Sequence, residues 1–168
     1  IRPPRWLSRG GGMEIELAGI APSEFEQRFA AVKEGIFSYV EAVFGWEDDF
    51  QHERLTSEYE PHWFSWILAE RERVGLLCRK PYDDALHVHL LIIFPRYQGR
   101  QLGSAVMARL HREAASEGRH RVTLSSFSAN QRAIEFYRRL GYQVVAEEPT
   151  FVSLSRPVTR EEYVGTNG

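Results

Sequence analysis

At Gln98-Gly99-Arg100-Gln101-Leu102-Gly103-Ser104 the chain has the pattern of a tight turn between a strand and a helix. The apolar run Leu90–Phe94 precedes this segment, and the helical pattern Leu102–Ala114 begins within it. A turn of this kind directs several backbone N–H groups at one point, with the positive end of a helix dipole behind them. The segment is therefore predicted to bind a phosphate or pyrophosphate group.

A second motif follows about one strand later, at Asn130-Gln131-Arg132-Ala133-Ile134-Glu135-Phe136-Tyr137-Arg138-Arg139-Leu140-Gly141-Tyr142. Asn130 is predicted to cap a short helix that Gly141 ends. The inward or half-inward positions of this helix are Ala133, Ile134, Tyr137 and Leu140. The pair of motifs is far more specific than a glycine-containing loop alone.

Composition bounds the class of protein. A chain of 168 residues, 43% hydrophobic and 26% charged, suits one soluble globular domain with a full core. A net charge of −2 gives no reason to expect a nucleic-acid partner, and no apolar run approaches the length of a membrane span. Cys78 is the sole cysteine, so no disulfide can form within the chain, which fits a cytoplasmic location.

The first residues differ from the rest of the chain. Ile1–Gly12 holds three Arg, two Pro and three Gly before Met13. We expect Met13 to be the native start and residues 1–12 to be a vector or leader remnant, with a native flexible arm as the alternative. Residues 13–168 are then predicted to form a single domain.

The pattern of apolar residues predicts an α/β domain with a mixed sheet. Ser23 and Glu26 have the spacing of a capping box before the first helix, and Trp46–Phe50 is predicted to be a loop. The predicted elements, in chain order, are the strand Glu14–Leu17, a helix from Phe25 that Gly45 ends, the strands Trp63–Glu70, Val74–Lys80 and Ala85–Phe94, the helix Leu102–Ala114, the strand Val122–Phe127, the helix after Asn130, and the closing strands Tyr142–Ala146 and Thr150–Leu154. Arg71-Glu72-Arg73 is the predicted turn of a hairpin.

At this point the chain resembles the GNAT superfamily of acyl-CoA-dependent N-acetyltransferases. Gln98 and Gly103 match the first and last positions of that family's Q/R-x-x-G-x-G/A loop, whereas Gln101 stands in place of its first glycine. Gln still supplies a backbone N–H at this position, but a positive φ would strain it.

The second motif is similar to the family signature N-x-x-A-x-x-F-Y-x-x-x-G-F/Y. The matching residues are Asn130, Ala133, Phe136, Tyr137, Gly141 and Tyr142. The resemblance extends from about Trp63 to Leu154. It implies a mostly antiparallel, mixed central sheet of six to seven strands, flanked by helices, in which two splayed strands form an acetyl-CoA cleft.

The resemblance also implies a reaction in which acetyl-CoA, as co-substrate, gives its acetyl group directly to a primary amine in a ternary complex. The residues that it implies for cofactor binding are Ile92, Ile93 and Phe94, along the pantetheine arm; Gln98, Gly99, Arg100, Gln101, Leu102, Gly103 and Ser104, around the pyrophosphate; and Asn130, Ala133 and Tyr137. One or two of the nearby arginines, Arg96, Arg100, Arg132, Arg138 and Arg139, would suit the 3′-phosphate.

Tyr137 is implied to be the general acid that protonates the leaving thiolate, since a phenol is protonated at neutral pH. The general base is inferred from position alone. His89 is the first choice and His87 the second, because both lie on one face of the strand Ala85–Phe94, and Glu70 or a water molecule is the alternative.

Structural roles remain open for these residues. The histidines and Tyr137 could be packing residues, and Asn130 could act only as a helix cap. The two histidines have no third ligand at a diagnostic spacing, so no metal is expected.

The acceptor is expected to be a small-molecule or peptide amine, and a homodimer is compatible with the resemblance. A CoA-binding sensor or interaction module on the same fold, without turnover, is the rival function. A different phosphate-loop protein is a weaker rival, because the chain has neither a G-x-x-x-x-G-K-[ST] loop nor a G-x-G-x-x-G fingerprint.

Overall fold

The computed structural model of the chain describes residues 14–164. Residues 1–12, predicted to be a remnant, lie outside this range. The strands are β1 (Glu16–Gly19), β2 (Phe64–Ala69), β3 (Glu72–Tyr82), β4 (Ala85–Ile93), β5 (Arg121–Phe127), β6 (Gln143–Glu147) and β7 (Phe151–Pro157). The helices are α1 (Phe25–Phe44), α2 (Asp48–Ser57), α3 (Leu102–Ser116), α4 (Gln131–Arg139) and α5 (Arg160–Val164).

The strands form one seven-stranded sheet in the order β1-β2-β3-β4-β5-β7-β6. β4 and β5 pair in parallel, whereas β1–β2, β2–β3, β5–β7 and β6–β7 are antiparallel. The predicted fold class, a mixed and mostly antiparallel sheet flanked by helices, is thereby confirmed. The register of β4 with β5 covers Ala85–Val88, and β4 continues to Ile93 beyond it.

The chain divides into two compact units, each with its own apolar interior. Within residues 14–164, the first comprises residues 14–78 and 90–106, and the second comprises residues 79–89 and 107–164. In the first unit the buried apolar cluster consists of Ala31, Val32, Leu55, Phe64, Trp66, Leu76, Cys78, Ile92 and Phe94. In the second, the buried apolar residues include Leu86, Val88, Met107, Leu110, Val122, Leu124, Ile134 and Leu154. Cys78 is fully buried and packs as a small apolar side chain.

The start of α1 differs from the predicted capping box. A short 3₁₀ turn, Pro22–Glu24, precedes the helix, and the carboxylate of Glu24 accepts a hydrogen bond of 3.0 Å from the Ala21 N–H. Glu24, not Glu26, therefore satisfies the free backbone donor here. The predicted end is confirmed, since α1 stops before Gly45, which has a φ of 76°.

The predicted loop at Trp46–Phe50 is wrong from Asp48 onward, where α2 begins. Asp48 and Asp49 lie in its first turn, where negative charge is favourable beside the free N–H groups of a helix. Asp48 Oδ1 also accepts hydrogen bonds from Lys33 Nζ at 2.8 Å and from the Trp46 indole at 2.7 Å. Through Asp48 the acidic run therefore joins α2 to α1.

The hairpin between β2 and β3 turns at Glu70 and Arg71, one residue earlier than predicted. Both have a positive φ, 52° and 67°, which is the backbone of a two-residue hairpin turn. Such turns usually carry Asn or Gly, so this one had no sequence signal.

Another helix, α5, follows β7 in the polar stretch after Ser155.

His111 on α3 is a buried polar residue that the sequence did not single out. Its Nε2 lies 2.7 Å from the hydroxyl of Tyr142, and its Nδ1 lies 3.8 Å from the carboxylate of Glu162 on α5. Burial is the main cause that lowers the pKa of His111, to about 4, so it packs as a neutral imidazole at neutral pH. This network holds β7 and α5 in place, since Glu162 also pairs with Arg156.

No helix within residues 14–164 combines the length and the apolar character that crossing a membrane requires.

Candidate functional site

The predicted phosphate loop lies in the first unit, between β4 and α3. Gln98 ends a short 3₁₀ turn at Pro95–Tyr97, and the loop then passes through Gly99, with a φ of 77°, and Gln101, with a φ of 61°. The first hydrogen bond of α3 runs from the Ala105 N–H to the Gln101 carbonyl, at 3.2 Å. The N–H groups that precede Ala105 therefore have no partner within the helix and are available to an anion.

Gln101, which stands where the loop motif has its first glycine, adopts a strained backbone conformation. Its φ of 61° is the left-handed conformation that glycine adopts freely. A non-glycine residue loses about 1 kcal/mol or more by adopting it. The loop thus keeps the backbone path that the motif requires, but with a strained residue at its centre.

The strand edge before the loop is partly engaged by the protein itself. Gln98 Nε2 donates to the Ile93 carbonyl at 2.9 Å. The Phe94 N–H donates to the Val74 carbonyl at 2.9 Å, and the Phe94 carbonyl accepts from the Tyr97 N–H at 2.8 Å. Both backbone groups of the buried Phe94, the third predicted edge residue, are therefore already hydrogen-bonded within the protein.

Two glycines that the sequence did not single out fix the position of Ile92. A Cβ atom added at Gly75 on β3 would lie 2.0 Å from the Ile92 carbonyl oxygen. A Cβ added at Gly35 on α1 would lie 2.5 Å from the Cδ1 atom of Ile92. Both distances are far below van der Waals contact, so this edge residue sits where it does only because both neighbours lack a side chain.

In the second unit, α4 and its N-cap carry three of the predicted cofactor residues, Asn130, Ala133 and Tyr137. Asn130 Oδ1 accepts a hydrogen bond from the Ala133 N–H at 3.1 Å, which confirms the predicted cap. Tyr137 is buried, and its ring packs against Phe136 and Tyr142 at centroid distances of 5.0 and 5.6 Å. Burial raises the pKa of the Tyr137 hydroxyl, so the phenol stays protonated well above neutral pH.

His87 and His89 lie on β4 with their rings 4.7 Å apart, edge to face. His87 Nδ1 lies 2.8 Å from the hydroxyl of Thr123, so that ring is already held by β5. Burial, followed by the nearby His87 and Lys80, lowers the pKa of His89 to about 4. At neutral pH both imidazoles are therefore neutral and able to accept a proton, although His89 is a weak base.

The remaining candidates are placed as follows. Glu70, the alternative base, lies in the exposed turn between β2 and β3. The guanidinium of Arg96 lies 5.1 Å from both the Phe94 and the Tyr97 ring centroids, and that of Arg100 lies 5.8 Å from Tyr97. Among residues 14–164, no group of three or more His, Cys, Asp or Glu side chains is arranged to hold a metal ion.

Known proteins similar to this chain agree on one family. A model of the acetyltransferase (GNAT) family matches residues 29–142. The L-amino acid N-acyltransferase MnaT of Escherichia coli (strain K12) is 33% identical over 72 residues, and this match spans 42% of the chain and 42% of that relative's length.

Solved structures agree on the fold. The PaiA N-acetyltransferase of Thermoplasma acidophilum, in complex with coenzyme A, superposes with a TM-score of 0.68 at 13% identity, over 86% of this chain and 99% of that one. An acetyltransferase of Thermus thermophilus gives a TM-score of 0.68 at 22% identity, over 86% and 97% of the two chains. With the family model covering more than half of the residues, the chain belongs to the acetyltransferase (GNAT) family of acyltransferases, whose co-substrate is acetyl-CoA.

Proposed function

We propose that residues 13–168 act as a single acetyltransferase domain, which transfers the acetyl group of acetyl-CoA directly to a primary amine in a ternary complex. The observation that carries the proposal is the turn at Gly99 and Gln101. Its left-handed backbone leads into the N-terminus of α3 in a chain of this family.

The pyrophosphate of acetyl-CoA would bind to the N–H groups at the start of α3. Those of Leu102, Gly103 and Ser104 precede the first internal donor of the helix, Ala105. Helix N-termini bind phosphates through such donors and through the helix dipole. The strained Gln101 fits this role, because strain of this kind is retained where the backbone path serves a ligand.

The pantetheine arm would pair with the backbone of Ile92 and Ile93, in the way an added strand pairs with a sheet edge. The Ile93 carbonyl can accept a second hydrogen bond beside that of Gln98, because a carbonyl oxygen has two lone pairs. Asn130 uses its Oδ1 atom for the helix cap, so its Nδ2 group would meet a pantetheine carbonyl. Ala133, half-buried beside the cap, would contact the arm with its small side chain.

The transfer step needs one acid and one base. The amine nitrogen attacks the thioester carbonyl carbon, the C–S bond breaks, and the thiolate takes the proton of the Tyr137 hydroxyl. The proton lost by the amine passes to the neutral imidazole of His89. His89 is the first choice for this base and His87, on the same face of β4, is the second.

His89→Ala is expected to lower kcat about 10²-fold if His89 is the base. Wild-type kcat should fall as pH drops through about 4, where this imidazole becomes protonated, and not through the ordinary value of 6.5. His62→Ala is the control, since that histidine is 73% exposed. An unchanged kcat in the His89 variant would instead assign the base to water or to Glu70.

The acceptor is proposed to be a small-molecule or peptide amine. The similarity to an L-amino acid N-acyltransferase makes amino acids the first acceptors to screen. The buried lone cysteine, Cys78, is compatible with a reducing compartment, and we propose the cytoplasm.

The test is thiol release from acetyl-CoA in the presence of amino acids, polyamines and peptides. The proposal expects release that depends on the amine, together with the matching N-acetylated product by mass spectrometry. Tight binding of acetyl-CoA with no transfer to any amine would favour the sensor or interaction module.

A further inference from the structure

Arg28, the fourth residue of α1, is a buried cation without an acidic partner within residues 14–164. The residue is only 5% exposed, and its Nε atom is buried with no hydrogen-bond acceptor. Throughout the described range, 14–164, its guanidinium forms no ion pair. The contacts it does make are with two aromatic rings, Phe25 at 4.8 Å and Phe64 at 4.6 Å from the centroids.

A charge in this position is costly. Burial lowers the pKa of Arg28, but a guanidinium does not lose its proton in a protein. The desolvation of an unpaired ion costs several kcal/mol, and a cation–π contact returns only about 0.5–2 kcal/mol. The rings of Phe25 and Phe64 therefore hold the guanidinium in place without neutralising it. A bound anion would neutralise the guanidinium.

We expect a ligand of Arg28 to carry a single negative charge. Two other cations of this unit are already paired, Arg73 with Glu24 and Lys33 with Asp48, whereas the positive charge of Arg28 is not offset by an acid within residues 14–164. A carboxylate matches the charge and the planar donor geometry of one guanidinium. A phosphate would leave a second negative charge uncompensated.

We propose that Arg28 binds the carboxylate of the acceptor, so that the acceptor is an amino acid. The inference rests on the proposed function, which supplies the amine, and adds that a carboxylate accompanies it. Half-buried aromatic side chains pack against the buried apolar cluster of the first unit, to which Phe64 belongs. Their apolar surface favours an acceptor with an apolar or aromatic side chain. They are Phe25, Phe29, Tyr59 and Trp63.

The experiment compares acceptors that differ only in the carboxylate: L-phenylalanine with 2-phenylethylamine, and L-methionine with 3-(methylthio)propylamine. Arg28→Met replaces the guanidinium with an apolar side chain of similar length. It should raise KM for the amino acids about 10- to 100-fold, the effect of losing hydrogen bonds to a charged group. KM for acetyl-CoA and for the two decarboxylated amines should not change.

Two further variants separate recognition from folding. Arg28→Lys keeps the charge but not the planar fork, and is expected to recover part of the lost affinity. Arg54→Met removes an arginine that pairs with Glu58 on the surface of α2, and should behave as wild type. Thermal melts of all variants establish that they are folded.

A titration of L-phenylalanine into the CoA-bound protein tests binding apart from turnover. Binding to wild type that Arg28→Met abolishes would support the inference, even if no acetyl group is transferred and the proposed function fails. Acetylation of the decarboxylated amines as readily as of the amino acids, or equal binding of L-phenylalanine to both proteins, would overturn the inference and leave the proposed function standing. No binding of L-phenylalanine to wild type would overturn it as well.

Discussion

Tyr137→Phe is expected to lower kcat by about 10²- to 10⁴-fold, the usual contribution of a general acid. The substitution removes only the hydroxyl, so the ring can keep its contacts with Phe136 and Tyr142. Because burial raises the pKa of Tyr137, wild type should retain its acid up to pH 10 and beyond. The Kd of acetyl-CoA, measured by calorimetry, should stay unchanged.

Tyr142→Phe is the matched control for this prediction. It removes a second buried hydroxyl, one that lies 2.7 Å from His111, and should reduce the melting temperature while kcat remains near that of wild type. If Tyr137→Phe keeps the wild-type kcat, Tyr137 is a packing residue and the acid must lie elsewhere.

Gly75→Ala is expected to lower the free energy of unfolding by about 2–4 kcal/mol, at the upper end of the cost of overpacking a core. The added Cβ would lie 2.0 Å from the carbonyl oxygen of Ile92 and 3.2 Å from the Cα of Ile93. Neither backbone atom can rotate away, so β4 must shift. Because Ile92 and Ile93 are the proposed pantetheine edge, the affinity for acetyl-CoA should fall together with the stability.

Gly19→Ala makes the same change at another strand glycine, where nothing lies within 4 Å of the added atom. It should leave both the unfolding curve in denaturant and the Kd of acetyl-CoA as in wild type. A Gly75 variant with wild-type stability and affinity would show that β4 is not held by this close approach.

The features that could be predicted from the sequence are those that local rules govern. Asn130 caps α4 as its position indicates, and the N–H of Ala133 donates to it. The left-handed backbone at Gln101 also follows the motif, against the preference of the residue itself, because the neighbouring segments determine the path of the turn. The alternation of apolar residues placed every strand of the sheet within a few residues.

What the sequence did not show depends on contacts between distant segments. Arg28 looks like an ordinary surface charge on a helix until Phe64 packs against it. Gly75 looks like a weak position in a strand, and only the neighbouring strand makes it necessary. The helix α2 has almost no apolar face, with Leu55 as its one buried residue, so its periodicity gave no signal.

The proposed function depends first on the cofactor, and calorimetric titration with acetyl-CoA, with ATP and NAD as controls, tests it most directly. The prediction is micromolar binding of acetyl-CoA alone, through the loop Gly99–Ser104. A folded protein that fails to bind acetyl-CoA would contradict the proposal. It would mean that the strained Gln101 turn does not form a pyrophosphate site, and would favour an interaction module on an acetyltransferase fold.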